Sequence, residues 1–188
     1  MNAQALPYFE IIRKYIPPNS LTYAYYLPHV AAVTAKALRI AYRLGLDATQ
    51  RRFIEEAAML HDIGIVRVHA PDMGCTGELP YITHILEGRR ILEAEGLPRH
   101  ALVAERHVGV GLTQEEIVSQ GLPLPAADIF PESLEETLIS WADLFFSKSL
   151  GELWRERSVA EARQHVARWG ERPLALFDVW RARFEEAT

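Results

Sequence analysis

Residues 47–64, DATQRRFIEEAAMLHDIG, decide how this chain folds and what it carries. Asp47 stands where a helix N-cap belongs, and Gln50, three residues on, completes a capping-box pattern. Phe53, Ala57 and Leu60 follow at helical spacing and predict one buried stripe, with Gly64 as the stop. His61 and Asp62 therefore fall at a helix end. Adjacent helical residues point about 100° apart and cannot share a ligand as residues four apart do. They can once the helix ends and the second side chain swings off its last turn. An imidazole nitrogen beside a carboxylate oxygen suits a borderline divalent metal.

Helical periodicity continues on both sides of this stretch. Val30, Val33, Ala37, Ile40, Ala41 and Leu44 form a face ending at Gly45. Thr83 is placed to cap a helix carrying Ile85, Ile91 and Leu92, and another runs from Pro98 to His107. Thr113 with Glu116, and Ser158 with Glu161, are further capping boxes. Leu134, Leu138, Trp141, Ala142 and Phe145 mark a long helix, and Pro173 begins the last one. Residues 121–131, with Pro123, Pro125 and Pro131, read as an irregular connection. Residues 65–80 leave room for a turn or hairpin but not for a sheet. The expected fold is all-α, a single-domain bundle of about seven helices.

Composition narrows the function classes. The chain has 188 residues, 49% hydrophobic and 24% charged, enough for a real core. Twenty Lys+Arg against 25 Asp+Glu leave a net charge of −5, which excludes bulk nucleic-acid binding through a basic face. Cys75 is the only cysteine, so neither a disulfide framework nor a thiolate zinc cluster is available. No apolar run reaches the ~18 residues of a membrane span. The first 14 residues contain Pro7 and Glu10 and do not read as a secretory signal, so a cytoplasmic location without membrane contact is expected.

The remaining chemistry is scattered along the chain. His29 opens the inward face of its helix, four residues before Val33. His84 starts one helix, with Gly88 at i+4 leaving room beside it for a bulky neighbour such as a metal. His107 ends another, and Asp143 lies at the edge of an apolar stripe, four residues after Ile139. A buried carboxylate normally neutralises, pairs or ligates a metal. A lone inward histidine is more often a hydrogen-bonded core residue than a ligand. Four histidines and two aspartates at inward positions or helix ends are harder to explain that way, because bundles build metal sites there.

The ordered set His29, His61-Asp62 and Asp143 resembles the HD-domain superfamily of metal-dependent phosphohydrolases, in the HDIG form because Ile63-Gly64 follow the pair. His84 and His107 match the two extra histidines of its dinuclear members. The resemblance covers residues 23–149, about two thirds of the chain. It implies an HD-type domain there, preceded by an N-terminal helix and turn (1–22) and followed by a C-terminal helical extension packed on it (150–188). It also implies two divalent metals. His29, His61 and Asp143 would hold one, His84 and His107 the other, with Asp62 bridging. Hydrolysis of a nucleotide or another small phosphorylated metabolite by a metal-activated bridging water follows from that arrangement. Four imidazoles favour Fe, Mn, Co, Ni or Zn over Mg.

Asp62 is then the central catalytic residue, and Arg106 and Lys148 are the candidates for phosphate binding, with Arg67 beside them. His69 and His165 read as surface residues, His100 as lying about 10 Å from His107 along its helix, and the tryptophan-rich tail (Trp154, Trp169, Trp180) as core packing or a partner surface and not as a base-stacking platform. No glycine-tyrosine-proline signature follows a histidine-glutamate pair, and Ile85-Leu86-Glu87 follow His84, so neither cyclic-di-GMP nor diadenosine-tetraphosphate hydrolysis is indicated. A di-iron oxygenase on the same scaffold and a non-catalytic nucleotide sensor are the alternative readings. A homo-oligomer is compatible with the sequence.

Overall fold

Side-chain caps fix where most of the helices begin. In the computed structural model, which describes residues 6–149 and 151–185, Ser20 Oγ accepts from the Tyr23 amide. Asp47, Thr113, Ser133 and Ser158 cap in the same way, three of them within full capping boxes. Nine α-helices result among the described residues. They are α1 (Tyr8–Tyr15), α2 (Leu21–Arg43), α3 (Ala48–Leu60), α4 (His84–Ala94), α5 (Pro98–Arg106), α6 (Gln114–Ser119), α7 (Leu134–Asp143), α8 (Val159–Ala167) and α9 (Glu171–Phe184). Residues 65–80 contain one two-residue antiparallel hairpin, His69–Ala70 with Cys75–Thr76. The all-α expectation holds. Nine described helices stand against the expected seven or so, the shortest being α6 and then α1, which are the expected helix after Thr113 and the expected N-terminal helix. Residues 1–5, 150 and 186–188 of the two expected flanking segments lie outside the described residues.

Two apolar clusters flank the future site. One joins α2, α3 and α7 to α8 and α9 through Val33, Ile54, Leu138, Trp141, Phe177 and Phe184. The other gathers Ile12, Tyr26, Val30, Leu60, Ile63 and Leu92. Along α2, Tyr26 and Val30 belong to the second cluster and Val33 to the first, so His29 stands near the seam. The Tyr26 hydroxyl donates to the Met59 carbonyl at 2.8 Å, tying α2 to the end of α3. No described helix is long and apolar enough to cross a membrane.

Two glycine readings need correction. Helix α3 ends at Leu60, four residues before Gly64, and Asp62 at φ −100°, ψ 7° leads into a 3-10 turn, Ile63–Arg67. Gly64 is therefore a contact residue and not a stop. A Cβ there would lie 2.0 Å from the His84 carbonyl oxygen and 2.4 Å from the Gly88 nitrogen. Gly88 does not keep space open for a metal either. A Cβ on it would meet Ala104 Cβ at 3.1 Å and the Gly64 nitrogen at 3.5 Å, so that space is already filled by packing. The glycine pair instead lets the turn after His61-Asp62 press backbone to backbone on the start of α4. Gly64→Ala is expected to cost on the order of 3 kcal/mol, because both blocking atoms are backbone. For a chain of this length that lowers the melting temperature by roughly 5–10 °C. Gly88→Ala, facing a side chain, should cost less, and calorimetry on both variants checks the order.

Candidate metal centre

Four helix ends and one helix interior converge on Asp62. His61 and His107 are the residues that end α3 and α5, His84 is the first residue of α4, and Asp143 the last of α7. His29 comes from within α2, two turns after its start at Leu21. Asp62 and the four histidines are buried.

The Asp62 carboxylate divides between two sets of imidazoles. Oδ2 lies 3.2 Å from His29 Nε2 and 3.4 Å from His61 Nε2. Oδ1 lies 3.4 Å from His84 Nε2 and 3.5 Å from His107 Nε2. Asp143 Oδ1 completes the first set, 3.0 Å from His29 Nε2 and 3.6 Å from His61 Nε2. Within this geometry His29, His61 and Asp143 form one group whose ligand atoms lie within 4.8 Å of one another, and His61, Asp62 and His107 form a second. His61 belongs to both.

Backbone contacts decide which ring nitrogens are free. The Nδ1 atoms of His61, His84 and His107 each lie 2.7–2.9 Å from the carbonyl three residues back, at Ala58, Tyr81 and Ala104. A carbonyl only accepts, so Nδ1–H donates and Nε2 of a neutral ring keeps a bare lone pair. Metal-ligating histidines are commonly oriented by such a bond from the other nitrogen. The Nε2 atoms of His84 and His107 then face each other at 3.3 Å as two acceptors. His29 Nε2, His61 Nε2, Asp62 Oδ1 and Asp143 Oδ1 are also buried without a hydrogen-bond partner, and Asp62 Oδ2 has only the Lys148 ammonium, 2.6 Å away. Buried polar atoms are rarely left this way, and a cation would satisfy all of them. The residues present fit divalent metal.

The charges within the cluster are strongly coupled. Burial would raise the Asp62 carboxyl, but Lys148, His61 and neighbouring imidazoles hold it well below the usual carboxylate range. Asp143 is likewise held down against burial by His29, His61 and Lys148. Burial pulls the His61 imidazole down, yet Asp62 and Asp143 outweigh it and push it up to about 10. Burial takes His84 down to about 3. Lys148 stays charged against burial because Asp62 holds its ammonium, Nζ to Oδ2 at 2.6 Å.

A cleft of about 180 Å³ opens over this cluster, with His84, His107, Asp143 and Lys148 at its base and Arg157, His165 and Trp169 among its walls. Tyr81 and Lys148 also border a wider depression of about 700 Å³ beside the hairpin. Of the expected phosphate binders, only Lys148 reaches the cleft. Arg106 does not: its Nη1 lies 3.0 Å from Glu132 and 3.2 Å from Glu136, so its charge is already matched there. Arg67 is exposed and lines neither opening.

Arg157 was missed by sequence reasoning. It holds the turn after Asp143, its amide donating to the Phe145 carbonyl at 2.8 Å and Nη1 to the Leu144 and Phe146 carbonyls. His165, expected at the surface, is half-buried at the cleft. Burial, then Arg157 and Arg168, push its imidazole down, which leaves it neutral at pH 7. His69 is exposed as expected, and His100 packs on Phe53 and Glu56 away from the cluster.

The fold of the chain is that of an HD domain. The HD domain of the L. monocytogenes phosphodiesterase PgpH, solved with cyclic-di-AMP, aligns over 94% of this chain and 83% of that one, with a TM-score of 0.51 at 16% identity. The same domain solved on its own aligns over 96% and 85%, also at 0.51. No protein-family model matches the chain.

Among curated proteins, a tRNA (cytidine(56)-2′-O)-methyltransferase of Thermoplasma volcanium is 29% identical over 152 residues, 77% of this chain but 40% of that protein. The enzyme of the same name from Picrophilus torridus is 34% identical over 116 residues, 61% of this chain and 29% of that protein. An uncharacterized protein of Methanocaldococcus jannaschii is 34% identical over 110 residues, 57% of its length. The chain thus spans less than two thirds of each of these relatives.

Proposed function

We propose that the chain is a metal-dependent phosphohydrolase acting on a phosphomonoester or phosphoanhydride of a small molecule, a nucleotide or another phosphorylated metabolite. The observation that carries this reading is the Asp62 carboxylate, whose two oxygens serve two separate imidazole sets at 3.2–3.5 Å. His29, His61 and Asp143 would hold one divalent ion and His84 and His107 the other, with Asp62 shared. Such ions supply Lewis acidity, acidifying water and neutralising charge that develops on phosphoryl oxygens.

The chain's own groups do the rest. Asp62 balances charge between the two sets and fixes their separation. Lys148 and Arg157 stand where a phosphate entering the cleft would meet positive charge. His165, its imidazole pushed down by burial, Arg157 and Arg168, offers a hydrogen bond at the cleft wall. The PgpH domain supports hydrolysis as a class of chemistry this fold hosts. Methyl transfer is not proposed, because the matched stretch is 29–40% of the methyltransferases and the imidazole–carboxylate cluster suits metal.

The test loads the protein anaerobically with iron or manganese and follows phosphate release from a panel of phosphorylated metabolites. Release is expected, and chelation should abolish it. Chelation should also lower the melting temperature by roughly 5–10 °C, because ligands from five helices are clamped by ions that bind only the folded state. No phosphate release under these conditions, with oxygen consumed once air is admitted to the iron-loaded protein, would replace this reading with the oxygenase one. Tight nucleotide binding without turnover would replace it with the sensor.

A further inference from the structure

Lys36 lies on α2 seven residues after His29, two turns along the same side of the helix. Only 6% of it is exposed, and lysines are rarely buried unless paired. Three groups meet its ammonium. Nζ lies 3.0 Å from Glu156 Oε1 and 3.2 Å from Glu185 Oε1, and stands 3.7 Å from the centre of the Phe145 ring. Glu185 Oε1 also accepts from Trp141 Nε1 at 3.2 Å.

Trp141 and Phe145 bracket Asp143, two residues before it and two after, and their ring centres lie 5.0 Å apart. Asp143 is the last residue of α7, so no further turn of that helix holds it. Rotating a helix end by about 10° carries a side-chain tip at ~5 Å radius through about 1 Å. Metal–ligand distances are held within about 0.2 Å. The Lys36 network fixes that rotation through a ring on each side of the ligand. It also joins the helix bearing His29 to the one bearing Asp143, whose Nε2 and Oδ1 lie 3.0 Å apart. Stability is a weaker account of it, because well-packed apolar side chains often replace a buried ion pair without loss. What the ion pairs add is direction.

We infer that Lys36 is a positioning residue for the metal centre. With Glu156 and Glu185 it sets the end of α7 so that Asp143 meets the ion it would share with His29 and His61. The inference rests on the metal-bound reading of the Asp62 cluster and on no particular substrate.

The experiment is a double-mutant cycle read by calorimetric titration of manganese ions into metal-free protein. Lys36→Met keeps the bulk and removes the charge, while Glu156 retains Arg39 and Glu185 retains Trp141. In the His84→Ala chain, which keeps the His29, His61 and Asp143 set, Lys36→Met should weaken manganese binding about tenfold. Lys36→Arg, which keeps a cation for Phe145 and both acids, should lose less than threefold. In the Asp143→Ala chain, Lys36→Met should change manganese affinity less than threefold, because the ligand it positions is gone. Ile12→Ala, in the other apolar cluster and on a helix without ligands, should lower the melting temperature and leave manganese affinity unchanged. If Lys36→Met does not fold, Glu185→Gln takes its place in the cycle. Equal losses in both backgrounds, a loss matched by Ile12→Ala, or no loss in the His84→Ala chain overturns the role of Lys36 and leaves the metal centre standing. No manganese bound by the wild type overturns both.

Discussion

Asp62→Asn should lower phosphatase turnover by three orders of magnitude or more, about 4 kcal/mol in barrier, while the protein stays folded. The amide keeps the shape of the carboxylate but not its charge, and its nitrogen cannot ligate. Whichever way the amide turns, one of the two imidazole sets, at 3.2 and 3.4 Å or at 3.4 and 3.5 Å, faces an NH2 donor instead of an oxygen. Lys148 keeps at most a neutral amide oxygen where it had a carboxylate at 2.6 Å. Metal content should fall together with rate, and circular dichroism should not change. Retention of more than about a tenth of wild-type turnover, under 1.4 kcal/mol, would show that Asp62 is not central.

His84→Ala and His107→Ala should each reduce loaded metal from about two per chain towards one, with rate losses of several orders. Both rings have Nδ1 committed to a carbonyl and Nε2 turned to Asp62 Oδ1 and to each other, an arrangement with little use in packing alone. If only one ion is held, by His29, His61, Asp62 and Asp143, stoichiometry stays near one in both variants and the losses fall mainly on KM. Metal analysis of wild type and variants after iron or manganese loading separates the cases. A single metal in fully loaded wild type removes the dinuclear reading and leaves the hydrolase one.

Asp62 and the five residues around it are legible because each carries a local signal. A histidine or aspartate at an inward helical position, or beside a cap or stop, is visible in spacing alone. What a glycine does is not. Gly88 is consistent with open space or with close backbone approach, and only the crossing of Gly64 on the start of α4 decides between them. Arg106 was misplaced because adjacency to His107 in sequence means little at a helix end: its side chain turns to Glu132 and Glu136 of the α7 approach. His29 was placed at the opening of its helix's inward face, whereas α2 begins eight residues earlier and runs through Pro28. Arg157, His165 and Trp169 give no such signal, because their nearness to the cleft depends on how the stretch after α7 returns to it, with the Arg157 amide on the Phe145 carbonyl, and no periodicity records that.

The cleft therefore has two addresses in the chain. Its ligand atoms come from residues 29–143, while Arg157, His165 and Trp169 come from the stretch that follows. Substitutions confined to 157–169 can change which molecule is admitted and leave intact the apparatus that would cleave it. Relatives that share the first stretch and diverge in the second should then perform one reaction on different substrates, and grafting the second stretch between them should move preference without moving metal content.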